Sequence, residues 1–292
     1  MSFVITTVSP KSVVQVSDTR LSSLSDQSVL SEELRKTLVV TGRVMQFVLG
    51  WCGLATAGKD HSTAEWIFKV LYGMSAVDLN PDQIVEKLAE LATRQFGALN
   101  LKDKRCHFLL GGWHKSEPFL GVISNYSTLD SLEAHEPDLK HHIPSFSDAP
   151  AATHRFQAWI LRFRNLTERH YVVNVFGDCP AEKLKTHFRG LEGLLKKGAE
   201  ARTISAACRQ IVLEAGRHSK TIGKNLVSVE MQRGGETHCS YYSDEGAEVM
   251  LIPDMLGVAG GSTQMTIRVS SVGDKATVRL QGKLIKAPET QP

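Results

Sequence analysis

The chain of 292 residues contains no run of about 18 apolar residues, which excludes a membrane-spanning helix. It has only five cysteines, Cys52, Cys106, Cys179, Cys208 and Cys239, and none of them stands at CxxC spacing. An odd, scattered set excludes a disulfide framework and a structural zinc site, and it points to a reducing compartment. Met1-Ser2-Phe3-Val4 lacks the basic and apolar regions of a signal peptide, so a cytoplasmic location is expected. Charge is also nearly balanced: 34 Lys and Arg against 31 Asp and Glu leave a net +3. That is too small for a nucleic-acid partner or a polybasic membrane contact, and neither is expected. No internal repeat, heptad array or low-complexity tract is present. Gly257–Ser262 is glycine-rich but lacks the lysine of a phosphate-binding GxxxxGK[ST] loop, and no cofactor is expected.

Hydrophobic residues make up 42% of the chain and charged residues 22%, the balance of a globular protein with a sizeable core. The opening reads as strands. Phe3–Val8 and Ser12–Val16 flank a turn at Pro10-Lys11. After a serine-rich connection over Leu21–Glu33, Thr37–Thr41 and Val44–Leu49 form a hairpin about Gly42-Arg43. Two helices follow. Ser62-Thr63-Ala64-Glu65 fits a capping box ahead of Ile67, Phe68 and Leu71, and Asn80-Pro81 with Gln83 precedes Ile84, Leu88 and Leu91 at helical spacing.

Strands are then expected at Arg105–Gly111, Pro118–Ser124, Arg155–Arg164 and His170–Phe176. Helices are expected at Pro180–Lys197 and Thr203–Ala215, and a last hairpin at Asn225–Arg233 and Thr237–Ser243. Strands in adjacent blocks and helices in pairs predict an α+β chain rather than an alternating βαβ one. A four-layer αββα sandwich, two antiparallel sheets flanked by helix pairs, would bury every apolar stripe. The domain reading is a core over 1–243, with a polar surface insertion at 128–153, and an extension over 244–292. Strand-like runs mark that extension at Met265–Val269 and Thr277–Leu284, ahead of a polar tail at Ala287–Pro292.

Chemistry gathers near the N-terminus. Ser2 is followed sixteen residues later by Asp18, within Ser17-Asp18-Thr19-Arg20. Arg35-Lys36 opens the next strand, and Gly53 ends the one after. In these residues the chain resembles the proteasome β-type subunits and bacterial proteasome-like proteins of the N-terminal-nucleophile (Ntn) hydrolase superfamily. Leu109–Asn125 and Arg217–Ser228 continue the resemblance, which spans roughly residues 2 to 243. It implies the four-layer fold, a peptide or other amide substrate, and a homo-oligomer. It also implies roles: Ser2 as nucleophile after removal of Met1, Lys36 to tune its pKa, Asp18 and Arg20 to orient Lys36, and Gly53 to serve the oxyanion.

The chemistry suits those residue types. A serine hydroxyl is a weak nucleophile, but an N-terminal serine carries its own base in an α-amine whose pKa is about 8. A neighbouring ammonium lowers the pKa of both groups. A backbone N–H at a residue without Cβ can meet a developing oxyanion closely. Equally, serine after the initiator methionine is common, Asp18-Thr19-Arg20 suits a strand-end turn, and Lys36 suits a solvated strand end. One departure stands out. Catalytic relatives carry an acid and a Ser-Gly-Gly before the last hairpin, whereas Gly216-Arg217-His218-Ser219-Lys220-Thr221-Ile222-Gly223 has no acid, only the hydroxyls of Ser219 and Thr221. The alternative is therefore a non-catalytic structural or assembly subunit of the same fold.

Other groups rank lower. His135, His141 and His142 lie near Glu133, Glu136 and Asp138, but neither an HExxH helix nor a cysteine partner frames them. A solvated loop is the preferred reading, and no metal is expected. Cys52, in an apolar strand, reads as a buried thiol rather than a nucleophile.

Overall fold

The structure, a computed structural model, describes residues 2–23, 28–32, 34–57, 61–76, 79–101, 103–126, 152–163, 171–177, 181–233, 237–244, 248–250, 255–259, 263–269 and 278–284. The strands are β1 (Phe3–Val8), β2 (Ser12–Asp18), β3 (Leu21–Ser22), β4 (Val29–Ser31), β5 (Thr37–Thr41), β6 (Met45–Gly53), β7 (Thr56–Ala57) and β8 (His61–Ser62), followed by helices α1 (Thr63–Gly73) and α2 (Pro81–Ala98). Next come β9 (Cys106–His114), β10 (Glu117–Tyr126), β11 (Ala152–Arg162) and β12 (Val172–Gly177), then α3 (Ala181–Lys196) and α4 (Ala201–His218). The chain continues with β13 (Leu226–Gln232), β14 (Thr237–Tyr242), β15 (Glu248–Met250), β16 (Met255–Ala259), β17 (Thr263–Val269) and β18 (Val278–Leu284).

Two sheets form the centre: a six-stranded one ordered β12-β1-β2-β13-β14-β15 and an eight-stranded one ordered β11-β10-β9-β6-β5-β16-β17-β18. Strand alternation explains the stacking. On β1 and β2, Val4, Val8 and Val13 face the other sheet with Val39, Val48 and Leu109. Phe3, Ile5, Val14 and Val16 face the opposite way, onto Leu184, Leu191, Ile204 and Ile211 of α3 and α4. The larger sheet does the same: Leu38, Val40, Phe47 and Leu49 turn outward to meet Ile67, Leu71, Ile84 and Leu88 of α1 and α2. A strand buried on both faces favours apolar and β-branched residues at successive positions, and β1 reads FVITTV with every residue buried, Thr6 and Thr7 included. Burying one such large side chain stabilises the fold by about 1.5–3 kcal/mol.

The helices start where the sequence places them. Ser62 accepts a hydrogen bond from the Glu65 N–H, and Asn80 and Gln83 form a reciprocal capping box ahead of Pro81. The expected αββα sandwich is the observed one. Three local differences have physical reasons. The connection over Leu21–Glu33 contains a small hairpin of β3 and β4, too short for a pattern of its own, with Val29 and Leu30 exposed on it. The turn between β9 and β10 narrows to Lys115 and Ser116, both at positive φ, so the strands run further than their apolar cores. Past residue 243, β15 joins the smaller sheet, and β16 pairs parallel with β5 to carry β17 and β18 onto the larger. The insertion at 128–153, with His135, His141 and His142, lies outside the described residues except at its end. The tail at 287–292, Cys179, and the Gly234-Gly235 turn also lie outside them.

Candidate active site

Asp18 ends β2 with its carboxylate fully buried, and the site is built around it. Oδ1 accepts the Phe3 N–H at 2.7 Å, so the carboxylate grips the main chain immediately after Ser2. Oδ2 accepts the N–H groups of Arg20 and Gly223, each at 3.1 Å. It also takes the Lys36 ammonium at 3.0 Å. Lys36 comes from the other sheet: the Trp51 N–H donates to its carbonyl at the mouth of the β5–β6 hairpin. The ion pair thus crosses from one sheet to the other at the end of the sandwich where β1 begins. Ser2 itself is buried, at 6% exposure.

Lys36 is 1% exposed, and its Nζ donates a second hydrogen bond, at 2.6 Å, to the Arg20 carbonyl. Burial pulls the Lys36 amine below the ordinary lysine value, and the Asp18 charge opposes that pull. Arg20 was expected to orient Lys36, and its main-chain carbonyl is what touches Nζ. The Arg20 guanidinium turns away, to Glu32 Oε1 and to the Lys220 carbonyl, each at 2.8 Å.

Gly53 closes β6 at φ +103°, a backbone conformation that side chains rarely adopt. A Cβ there would come within 2.2 Å of the Arg105 carbonyl oxygen. The sheet alone therefore requires glycine at this point, without any appeal to an approaching substrate. Its position two residues beyond Trp51 puts it at the same end as Lys36.

Sequence reasoning missed two supporting residues. Gly177 pairs with Phe3 and has φ +132°, and a Cβ on it would strike the Ser2 carbonyl oxygen at 2.0 Å. Its signal was the glycine ending the apolar run Val172–Phe176. Glu32 was hidden inside the polar connection. In the 216–223 segment, Ser219 and Thr221 hydroxyls lie 2.8 Å apart. From that segment the Gly223 N–H reaches the Asp18 carboxylate.

Cys52 lies next to Gly53, and its thiol is buried within electrostatic reach of Lys36 and Asp18. Burial pushes it up from 9.0 to about 12, against the pull of Lys36. The native thiol is therefore protonated and inert at neutral pH. An unfolded thiol ionises above about pH 9 while the folded one does not, so stability present below that pH is lost as pH rises toward 12. The slope is about 1.4 kcal/mol per pH unit for such a group. Iodoacetamide followed by peptide mass mapping at pH 8 is expected to leave Cys52 unmodified in native protein and to alkylate it in urea. Rapid native modification would contradict the buried placement.

Among the described residues no group of three or more His, Cys, Asp or Glu could hold a metal ion, and no helix is long and apolar enough to cross a membrane. No family model matches the chain, and no curated protein matches it by sequence. Solved structures do match. The Anbu (Gly-1) mutant from Hyphomicrobium sp. strain MC1 has a TM-score of 0.53 at 12% identity, covering 86% of this chain and 88% of its own. Anbu (ancestral beta-subunit) from Yersinia bercovieri has 0.47 at 13%, covering 79% and 82%. Anbu from Hyphomicrobium sp. strain MC1 has 0.49 at 12%, covering 85% and 86%. At these identities the likeness is one of fold, and the first match carries it: the chain folds as a proteasome-like, Ntn-type αββα sandwich.

Proposed function

We propose that the chain is an Ntn-type amide hydrolase, a proteasome-like peptidase, with Ser2 as nucleophile once Met1 is removed. The observation supporting this most is the buried Lys36–Asp18 pair, because Asp18 also binds the N–H that follows Ser2. A fully buried lysine is expensive to keep, and a buried ion pair is a weak device for stability. At such a position it makes sense as chemistry.

In the proposed reaction the Ser2 hydroxyl passes its proton to the free α-amine as Oγ attacks the amide carbonyl. The carbonyl oxygen gains the negative charge, stabilised by the Gly53 N–H. Collapse breaks the C–N bond, and the α-ammonium returns its proton to the leaving amine. Water then attacks the Ser2 ester with the same amine as base, releasing the acid and restoring Ser2. The positive charge of Lys36 lowers the pKa of both the amine and the hydroxyl, and so favours the neutral amine that acts as base and the negative charge that develops on Oγ.

Intact mass decides whether residue 2 is the mature N-terminus. A panel of β-lactone and vinyl-sulfone probes then tests for one adduct at Ser2. A protein lacking Met1 that takes no label and cleaves no amide would sink the reading. The alternative, a non-catalytic structural or assembly subunit, is favoured by one observation: the turn over 219–223 offers hydroxyls and no acid. Retained Met1 would support it, because it blocks the amine.

Either reading includes self-assembly, which the resemblance to proteasome-type subunits implies. Light scattering is expected to give a mass well above the 32.1 kDa of one chain, and a monomer at micromolar concentration would count against assembly.

A further inference from the structure

Three stretches of chain meet at Arg20, and one side chain outside the expected set holds them there. Glu32 Oε1 accepts Arg20 Nε at 2.8 Å and pairs with Nη2 at 2.8 Å. The remaining guanidinium nitrogen, Nη1, donates to the Lys220 carbonyl. Glu32 is itself pinned to the segment before Arg20: its carbonyl accepts the Thr19 hydroxyl at 2.5 Å, and the Leu34 N–H donates to the Thr19 carbonyl at 2.9 Å. Its second carboxylate oxygen, Oε2, is buried with no hydrogen-bond partner among the described residues. A Cβ on residue 223 would come within 3.0 Å of that oxygen and 2.8 Å of Arg20 Cβ. Gly223 is the residue whose N–H reaches Asp18.

We propose that Glu32 is a positioning residue for Lys36: it clamps Arg20 against the 220–223 turn and so fixes the carbonyl that holds Nζ. The geometry favours this over an ordinary surface ion pair. Arg20 makes two of the site's main-chain contacts, N–H to Asp18 and carbonyl to Lys36, so a shift of its backbone would loosen both. Exposed ion pairs contribute little, but the Arg20 side chain is only 18% exposed and is gripped at all three nitrogens. Glu32 also supplies a carboxylate to a neighbourhood whose 216–223 segment has none. The ionisable groups facing Lys36 are Asp18, Cys52 and Glu32, and the Glu32 charge helps keep the ammonium protonated.

The inference rests on the hydrolase reading only for its rate measurement, so its test has two readouts. Protein labelled with ¹³Cε-lysine gives a Lys36 resonance, assigned by its loss in Lys36→Met, whose titration follows the amine directly. Probe labelling of Ser2, followed by intact mass across pH, gives the rate. E32Q is expected to move the Lys36 midpoint to lower pH and to slow labelling about tenfold or more. E32D, which restores the charge, recovers part of both. An unmoved Lys36 midpoint in folded E32Q overturns the proposal whatever the labelling does. If wild type takes no label while E32Q moves the midpoint, the clamp stands and the hydrolase reading falls. Should E32Q fail to fold, Gly223→Ala carries the test by crowding Glu32 Oε2 and Arg20 together. An unmoved midpoint there overturns the clamp equally.

Discussion

Ser2→Ala is expected to retain the fold and to lose acyl transfer by about 10⁴-fold or more. The fold survives because the native contacts around residue 2 are made by the main chain. The Phe3 N–H binds Asp18, and the Ser2 carbonyl packs over Gly177. Removing one hydroxyl disturbs neither. Ser2→Thr should keep activity, since it offers a hydroxyl on the same carbon, and Ser2→Cys should keep some turnover through its thiol. Lys36→Ala is expected to match the loss of Ser2→Ala, because groups acting as one unit are not additive when removed singly. It also strips Asp18 of its charge partner, so circular dichroism must first show that this variant is folded. Activity surviving in folded Lys36→Ala would remove the lysine from the mechanism.

Asp18→Ala should produce the largest loss of stability, about 3–5 kcal/mol, because it leaves a buried charge unpaired. Three N–H groups, on Phe3, Arg20 and Gly223, lose their acceptor in the same stroke. The variant should also acquire a pH signature. Without Asp18, burial loses its main opponent at Lys36, and the folded-state pKa falls further below the unfolded value of 10.5. Between those two values the unfolded chain binds more protons than the folded one, so stability rises with pH. Urea midpoints for Asp18→Ala should therefore climb from pH 7 to pH 8.5 more steeply than for wild type, at up to about 1.4 kcal/mol per pH unit. A flat profile would mean that the lysine had swung out to water instead.

Much of the architecture could be read from the chain because its pattern is doubly redundant. β1 and β2 carry apolar side chains toward both faces, and both helices of the first pair announce their N-termini with side-chain caps at Ser62 and Asn80. β3, β4, β15 and β16 were not legible. They are two to five residues long, too short for a pattern of their own, and β16 also owes a pairing to β5, far away in sequence. The site divides in the same way. Asp18 and Lys36 were picked out by the family resemblance, and their side chains meet at 3.0 Å. Gly177 was missed because its importance lies in a close main-chain approach, and Glu32 because its partner Arg20 stands twelve residues away across a polar connection; neither leaves a motif.

The parallel pairing of β16 with β5 also sets an order of events during synthesis. Until Met255, Leu256 and Gly257 have been made, the outer edge of the strand that follows Lys36 has no partner there. Unpaired N–H and C=O groups along an apolar strand are a template for pairing with the wrong chain. The contact also spans more than two hundred residues, a separation that slows folding because a long loop must close before the pairing stabilises it. The strand leading out of Lys36 is thus made more than two hundred residues before its partner, and the nascent chain carries an open sheet edge over that interval.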